Sequence, residues 1–523
     1  MSQASEHVTG SSVTAGTSSA AAHTELRKMA RGSTLNLFGA ACMGIANFLM
    51  LVTITRAFTQ AQAGIFFAAT SLFLIVVALG QLGTSTGMVY FVSRARSLGR
   101  VELLGSYMRA AVWPVLLVAS LLGLCLVVFA PQLAPLVSDG DPGELAPYLR
   151  VLGIFVPVAC LAQLGLATTR GLQTMRPSAY VDHIARPVLQ LLLVAGVAWL
   201  AAPSLLVWAW VLPMAPAALL VWVWLRRLYA RAVARAGEAR GTGRSGPVTA
   251  EFWRFTAPRA VALAAQMAMQ RLDIVLVAAF LGPLEAAVYG ATTRFLVIGQ
   301  MGSQSVATAV QPRIGAAVAR EDRVLACRLY GTSTAWLVLI TWPIYLTFAT
   351  FGPFLLGVFG EGYSEGANAL TLLSLAMLVA TGCGMVDMVL NMAGRTTWTL
   401  ANTLLSLVLL VGLDLWLIPA YGIIGAAIGW SVARVVANLV PLALLGLVLR
   451  LHPFGPPLVT AVTASSVCFG VGLVLARVLL GASWAGLAAG FAGAGLCYLA
   501  VLLLLRRPLE LSALAGLRGR RRG

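Results

Sequence analysis

Charge is what this sequence has least of. Asp, Glu, Lys and Arg together make up 10% of its 523 residues, against 59% hydrophobic, and the mean hydropathy is +0.88. A soluble globular domain carries about a quarter charged residues, so that class is excluded. Lysine is nearly absent, and histidine occurs four times, with His7 and His23 in the N-terminal tail. The seven cysteines (Cys42, Cys125, Cys160, Cys327, Cys383, Cys468 and Cys497) show neither a CxxC pair nor metal-ligand spacing. These scarcities argue against metal catalysis and leave the cysteines as small apolar packing residues. Residues 1–26 lack the apolar run of a signal peptide and, rich in Ser, Thr and Ala, read as a disordered cytoplasmic tail.

What the chain does have is a succession of apolar segments long enough to span a bilayer. Fourteen are readable, at about 33–55, 64–92, 107–130, 148–170, 180–200, 204–225, 255–280, 286–311, 330–351, 367–391, 398–418, 423–448, 457–479 and 484–505. The expected fold is an all-α polytopic membrane protein with two six-helix lobes and two C-terminal helices. Its parts are a tail (1–26), a first lobe (27–225), a basic linker (226–254), a second lobe (255–450), helices thirteen and fourteen (451–507) and a basic tail (508–523).

The net charge of +18 is spread between these segments rather than gathered in one domain, which argues against nucleic acid. One set of loops holds Arg94, Arg96, Arg100, Arg170, Arg176, the arginines from Arg226 to Arg254 and from Arg313 to Arg328, Arg395 and Arg450. The alternate set, roughly 131–147, 201–203, 281–285, 352–366, 419–422 and 480–483, has no Lys or Arg and holds Asp139, Asp141, Glu144, Glu285, Glu361 and Glu365. Arg56 alone breaks the pattern. By the positive-inside rule both termini are cytoplasmic, in agreement with an even number of spans. The linker reads first as a solvated connector that fixes topology, and second as an amphipathic helix for anionic lipid.

The two lobes are related in sequence. A shift of 222 residues sets IFFAAT (65–70) on AVYGAT (287–292), and a shift of 219 sets GLQTMRPSAY (171–180) on LNMAGRTTWT (390–399). Six spans return the chain to the same side, so the repeat is parallel, about an axis along the membrane normal. Such lobes enclose a cleft that opens alternately to each face.

Polar residues inside the seventh and eighth spans fall in stripes. Arg259, Gln266, Gln270 and Asp273 share one face of 258–281, while Arg271 sits about 200° from Asp273 and cannot pair with it side by side. Thr293, Gln300, Gln304, Thr308 and Gln311 repeat the design on 286–311, with Arg294 beside them. Lipid disfavours such stripes, so they face a bundle interior or a wet pathway. The repeat partners of Arg271 and Asp273 are Leu49 and Leu51, so a charged site belongs mainly to the second lobe.

The segment LNMAGRTTWTLANTLLSLVLLVGLDLWLIPAYGIIGAAIGWSVA (390–433) resembles the corresponding region of Wzx-type oligosaccharide flippases. These are the polysaccharide transporters of the multidrug/oligosaccharidyl-lipid/polysaccharide superfamily. ARGSTLNLFGA (30–40), LDIVLVAAFLGPLEAAVYGATTRF (272–295) and AVQPRIGAAVARED (309–322) are similar as well, so the likeness runs over nearly the whole chain from about residue 30. The resemblance implies fourteen helices in the bacterial cytoplasmic membrane. It also implies translocation of undecaprenyl-pyrophosphate-linked oligosaccharide to the outer leaflet for exported polysaccharide such as exopolysaccharide or O-antigen. The partners it implies are that substrate, membrane lipids, and a polysaccharide polymerase with its export machinery.

That substrate requires a pyrophosphate to cross a low-dielectric region, and forked arginine donors suit phosphate oxygens. Arg271 and Arg294 are therefore candidates for the cavity, against the reading of structural ion pairs or snorkelling cations. Arg259 lies nearer the cytoplasmic face, where anchoring competes with binding. Gln266, Gln270, Gln300 and Gln304 suit sugar hydroxyls or bonds between helices. Asp273 is a candidate for proton or sodium coupling or for an arginine on a neighbouring helix. Asp387, Asp414 and Arg434 read by default as pairing with one another. Arg56 suits the outer mouth. No cofactor is expected. A drug/cation antiporter of the same superfamily is the alternative, but it favours an acidic pocket in the first lobe, where Asp182 near a boundary is almost the sole intramembrane acid. A lipid II flippase would be expected to carry an Arg- and Asp-rich first span, which is not evident. A membrane polymerase or ligase would need catalytic groups on an outer loop, and the longest, 131–147 and 352–366, lack His, Lys and Arg.

Overall fold

The computed structural model describes residues 38–100, 102–137, 142–236 and 248–505. The tails at 1–26 and 508–523 lie outside them, as does the middle of the linker. The first lobe contains α1 (Phe38–Ala57), α2 (Gln60–Gly80), α3 (Thr84–Ser97), α4 (Glu102–Val128), α5 (Ala130–Val137), α6 (Pro142–Gly171), a π-helical turn (Ser178–Ala185) leading into α7 (Arg186–Trp199), α8 (Leu206–Val211) and α9 (Met214–Ala236). The second lobe follows with α10 (Val248–Leu281), α11 (Pro283–Ala319), α12 (Arg323–Leu356), α13 (Ala367–Gly382), α14 (Val386–Met392) and α15 (Thr396–Leu444). The C-terminal pair is α16 (Pro456–Ser465) continued by α17 (Gly472–Leu480), then α18 (Trp484–Leu504).

Twelve helical stretches among the described residues are long and apolar enough to cross a membrane. One of them, Thr396–Leu449, is two crossings. Its backbone leaves the helical region at Gly422 (φ 63°, ψ −143°), and Asn402 bonds to the Ala437 carbonyl at 2.9 Å, so the two halves lie antiparallel. Gly425 makes this reversal possible, since a Cβ there would stand 2.1 Å from the Leu417 carbonyl oxygen. The 37-residue α11 supplies the remaining crossing. The fold is thus all-α, with fourteen crossings in two six-helix lobes plus two C-terminal helices. The flanks of the linker are helical, since α9 runs on to Ala236 and α10 begins at Val248.

Prolines inside these helices remove an N–H and free the carbonyl four residues earlier. A neighbouring helix satisfies that carbonyl in four places. Trp253 Nε1 donates to Ala110, freed by Pro114, at 3.2 Å. Tyr498 Oη donates to Leu339, freed by Pro343, at 2.9 Å. Thr371 Oγ1 shares its proton between Ala349, freed by Pro353, at 3.2 Å and Ala367 of its own helix at 3.0 Å, and Asn402 Nδ2 donates to Ala437, freed by Pro441. Each of these prolines therefore marks a tie between helices.

The lobes are joined unevenly along the membrane normal. Toward the arginine-poor loops one buried apolar cluster takes in residues of both, including Leu51, Phe66 and Trp210 with Ile274, Val288 and Phe359. Toward the arginine-rich loops the packing divides. One cluster, around Met88, Phe91 and Tyr107, belongs to the first lobe and receives Phe252 from the start of α10. Another, around Ile314, Tyr330 and Tyr498, belongs to the second lobe and the C-terminal pair. The arginine-poor seam is tight: a Cβ on Gly64 of α2 would stand 1.7 Å from the Pro283 carbonyl oxygen. Arg56 straps the same seam by donating from Nε to the Val358 carbonyl at 2.8 Å and from Nη2 to the Gly357 carbonyl at 2.9 Å.

Candidate functional site

The polar stripes of α10 and α11 lie where the lobes meet. Ile274 and Val275 of α10 are buried, and Met267 of α10 lines a hollow otherwise made by the first lobe. Arg271, one turn after Met267, shares its face and so points along the seam between the lobes. On α11, Met301 packs against Gly44 of α1 and Phe295 against Phe48 of α1. Arg294, two turns before Met301, shares that face. Both arginines are half-buried. No hydrogen bond or ion pair to another described residue engages either guanidinium, and the Arg271 Nε is buried without a partner. They lie near enough to repel each other, and both feel the charge of Asp273.

Asp273 turns the opposite way, into the second lobe. Its carboxylate is buried, accepting from the Ile274 N–H at 2.9 Å and from the Tyr289 hydroxyl of α11 at 3.0 Å. Asp414 of α15 is buried beside it, with both oxygens unpartnered and one facing Gly429, where a Cβ would stand 2.2 Å away. Two unpaired guanidiniums along the seam and two buried carboxylates behind them form one polar cluster in an apolar surround. Such a cluster can receive an anion on the seam side, where the arginine donors are free.

The other candidates disperse. Arg259 is engaged on its own helix, donating to the Phe255 carbonyl at 2.7 Å and lying 3.6 Å over the Phe255 ring. Gln266 and Gln270 are exposed, and Gln300 is half-buried. The Gln304 side chain lies outside those described. Asp387 is exposed at the start of α14, and the Arg434 Nε is buried without a partner. Among the described residues no ion pair joins Asp387, Asp414 and Arg434, so the expected mutual pairing is not formed. Asp414 instead neighbours Asp273, because the α15 hairpin turns it toward α10, while Asp387 and Arg434 feel each other only at a distance.

The first lobe has its own hollow, about 320 Å³, lined by Gln81, Gln163, Asp182, Arg186 and Met267 amid apolar side chains. Its acid is neutralised there, with Arg186 reaching Asp182 at 3.0 Å and Gln190 at 3.3 Å. Sequence reasoning missed Tyr289, which looks like an ordinary aromatic in AVYGAT. Asp273 lies about two and a half turns before the Gly282 break (φ 91°) and Tyr289 about two turns after it, and that near-equal distance was the available signal. It also missed the contacts that carry α10 onto the first lobe: Arg94 to Glu251 at 2.8 Å, and Tyr90 stacked on Phe255 with ring centroids 4.5 Å apart.

A MatE family model matches residues 37–195 and 258–416, one segment per lobe and together more than half of the chain. Among solved structures, a lipid II flippase MurJ in an inward closed conformation aligns with a TM-score of 0.70 at 12% identity, covering 91% of this chain and 98% of that one. An inward-facing multidrug resistance MATE family transporter of the MOP superfamily aligns at 0.61 and 17% identity, covering 76% and 92%. A MOP superfamily transporter from Pyrococcus furiosus aligns at 0.53 and 17% identity, covering 79% and 93%. At these identities the structural likeness speaks for the fold. No curated protein matches the sequence.

Proposed function

This chain belongs to the MatE family and is a multi-pass transporter of the MOP superfamily, and on that premise we propose that it flips undecaprenyl-pyrophosphate-linked oligosaccharide across the cytoplasmic membrane for exported polysaccharide. The observation that carries this reading is the pair Arg271 and Arg294, turned to the seam between the lobes with their donors unused. An uncompensated cation is costly inside a membrane and marks a substrate path by default. A pyrophosphate supplies the missing acceptors, exposed Gln266 and Gln270 suit sugar hydroxyls, and the isoprenoid tail stays in lipid. With arginine-rich loops at the cytoplasm, the seam sealed by Gly64, Pro283 and Arg56 is the outer gate, and the divided packing at the other end opens inward.

The lipid II flippase named among the solved structures suggests a neighbouring substrate, but the described part of the first span, Phe38–Ala57, carries only Arg56 as a charge. The drug/cation antiporter keeps one observation in its favour, the unpartnered carboxylate of Asp414 near Asp273, which is also where proton or sodium coupling of a flippase would sit. Against it, the acid in the first-lobe hollow is already neutralised by Arg186.

The test is the leaflet distribution of labelled lipid-linked oligosaccharide in a strain lacking the gene, complemented with wild type or with Arg271→Ala plus Arg294→Ala. Inner-leaflet accumulation cleared by wild type alone is expected. Clearance by the double variant would remove the arginines from the mechanism. No accumulation on deletion, with new sensitivity to cationic drugs, would replace the flippase by the antiporter.

A further inference from the structure

Away from the seam, a groove of about 550 Å³ opens on the flank of the first lobe, lined by Ser106, Arg109, Ala110, Trp113, Pro114, Val248 and Thr249. Pro114 lines it, and Trp253 of α10 crosses to the Ala110 carbonyl, freed by that proline, at 3.2 Å. The groove has one charged lining residue, Arg109, which is exposed and makes no hydrogen bond or ion pair to another described residue. Glu251, two residues after Thr249, is taken up by Arg94 at 2.8 Å, and Glu102 lies two turns below Arg109, outside the lining. The groove is therefore cationic, with the Ser106 and Thr249 hydroxyls beside the guanidinium.

The same face of α4 continues as an apolar track. Trp113 (68% exposed), Leu117 (71%), Leu121 (58%) and Leu124 (58%) follow Arg109 at helical spacing. From residue 113 to 124 the track rises about 16 Å, roughly the hydrocarbon depth of one leaflet. Arg109 stands below it on the side of the arginine-rich loops, with the amphipathic indole of Trp113 at the boundary between polar and apolar levels.

We propose that this groove binds one anionic phospholipid of the cytoplasmic leaflet, its phosphate on Arg109 and the two hydroxyls and an acyl chain along Trp113 to Leu124. The polar end supplies fixed charge and forked donors at headgroup level, and the apolar track has the length of a single acyl chain. The groove is shared between α4 and the start of α10. A lipid seated in it therefore holds the helix that carries Arg271 against the first lobe.

Native mass spectrometry of the full-length protein, titrated with dioleoyl phosphatidylglycerol or dioleoyl phosphatidylcholine, tests this. Wild type should retain one phosphatidylglycerol in preference to phosphatidylcholine. Arg109→Gln should weaken that retention by about tenfold, the scale of one lost charge-assisted bond, while Arg226→Gln, in the linker, leaves it unchanged. Both variants should unfold at the wild-type temperature, since both side chains are exposed. Equal retention by Arg109→Gln overturns the site. Equal loss in Arg226→Gln overturns it in favour of a diffuse basic surface, and full competition by inorganic phosphate at matched concentration overturns it in favour of a free-anion site.

Discussion

Single residues divide here by whether their polar atoms are used. Asp273 is held by two donors, Asp414 by none. Replacing Tyr289 by Phe leaves an Asp273 oxygen without its partner and is expected to destabilise the protein by about 1–2 kcal/mol, the upper range for bonds between membrane helices. Thermal unfolding in detergent measures it, and an unchanged midpoint would show the bond to be idle. Asp414→Asn should leave stability unchanged or slightly raised, because an unpartnered buried carboxylate contributes no bond to lose. If that oxygen pair serves coupling, transport driven by an ion gradient should collapse in the same variant, so stability and activity part company. Arg271 and Asp273 were legible from spacing alone, since residues two apart on a helix point to opposite sides. The partners were not: which helix meets Asp273 depends on the α15 hairpin and on α11 folding back at Gly282, neither of which local spacing contains.

Helices in this protein are tied at their weak points. Carbonyls freed by Pro114, Pro343, Pro353 and Pro441 receive donors from another helix or, for Pro441, from the other half of the α15 hairpin, so these points are fastened rather than free hinges. Tyr498→Phe removes the fastener at Pro343 and also the contact of Tyr498 with Ser465 at 3.0 Å. A loss of about 1 kcal/mol is expected from unfolding measurements, with local protection from hydrogen exchange reduced around Leu339. Prolines 114 and 343 are plain in the sequence. Their ties were not visible, because each donor lies on a helix distant in the chain. At the seam, Gly64→Ala cannot be accommodated against the Pro283 carbonyl without separating the lobes there. A cysteine introduced as Phe295→Cys should then react faster with an impermeant thiol reagent added from outside. An unchanged rate would mean that the seam relaxes without opening.

The whole molecule is a repeat with an addition. The parallel relation of the lobes showed in one aligned hexamer and one aligned decamer, and the two family matches fall one on each lobe in that order. Fourteen crossings were readable because hydropathy carries that information directly. The flanks of the linker were less so: Arg226, Arg227 and Arg231 suggested solvated chain, yet α9 continues through them to Ala236, and Phe252 beyond packs into the first lobe. Arginine content marks a loop's side of the membrane, not its conformation. Arg56, the exception to the charge pattern, has a physical use at its unusual end, where it straps the two lobes through the Gly357 and Val358 carbonyls. Arg56→Gln should weaken that strap and raise the fraction of molecules open to the outside, read by the same thiol probe. If the fraction does not move, Arg56 is a passive boundary residue.

At this scale the central claim is that free guanidiniums between the lobes receive a pyrophosphate. Its most direct measurement is the affinity of purified protein for undecaprenyl pyrophosphate and for uncharged undecaprenol, in wild type and in Arg271→Gln plus Arg294→Gln. Two lost charge-assisted contacts should weaken pyrophosphate binding by about a hundredfold and leave undecaprenol unaffected. Equal affinity of the two proteins for the pyrophosphate would contradict the account.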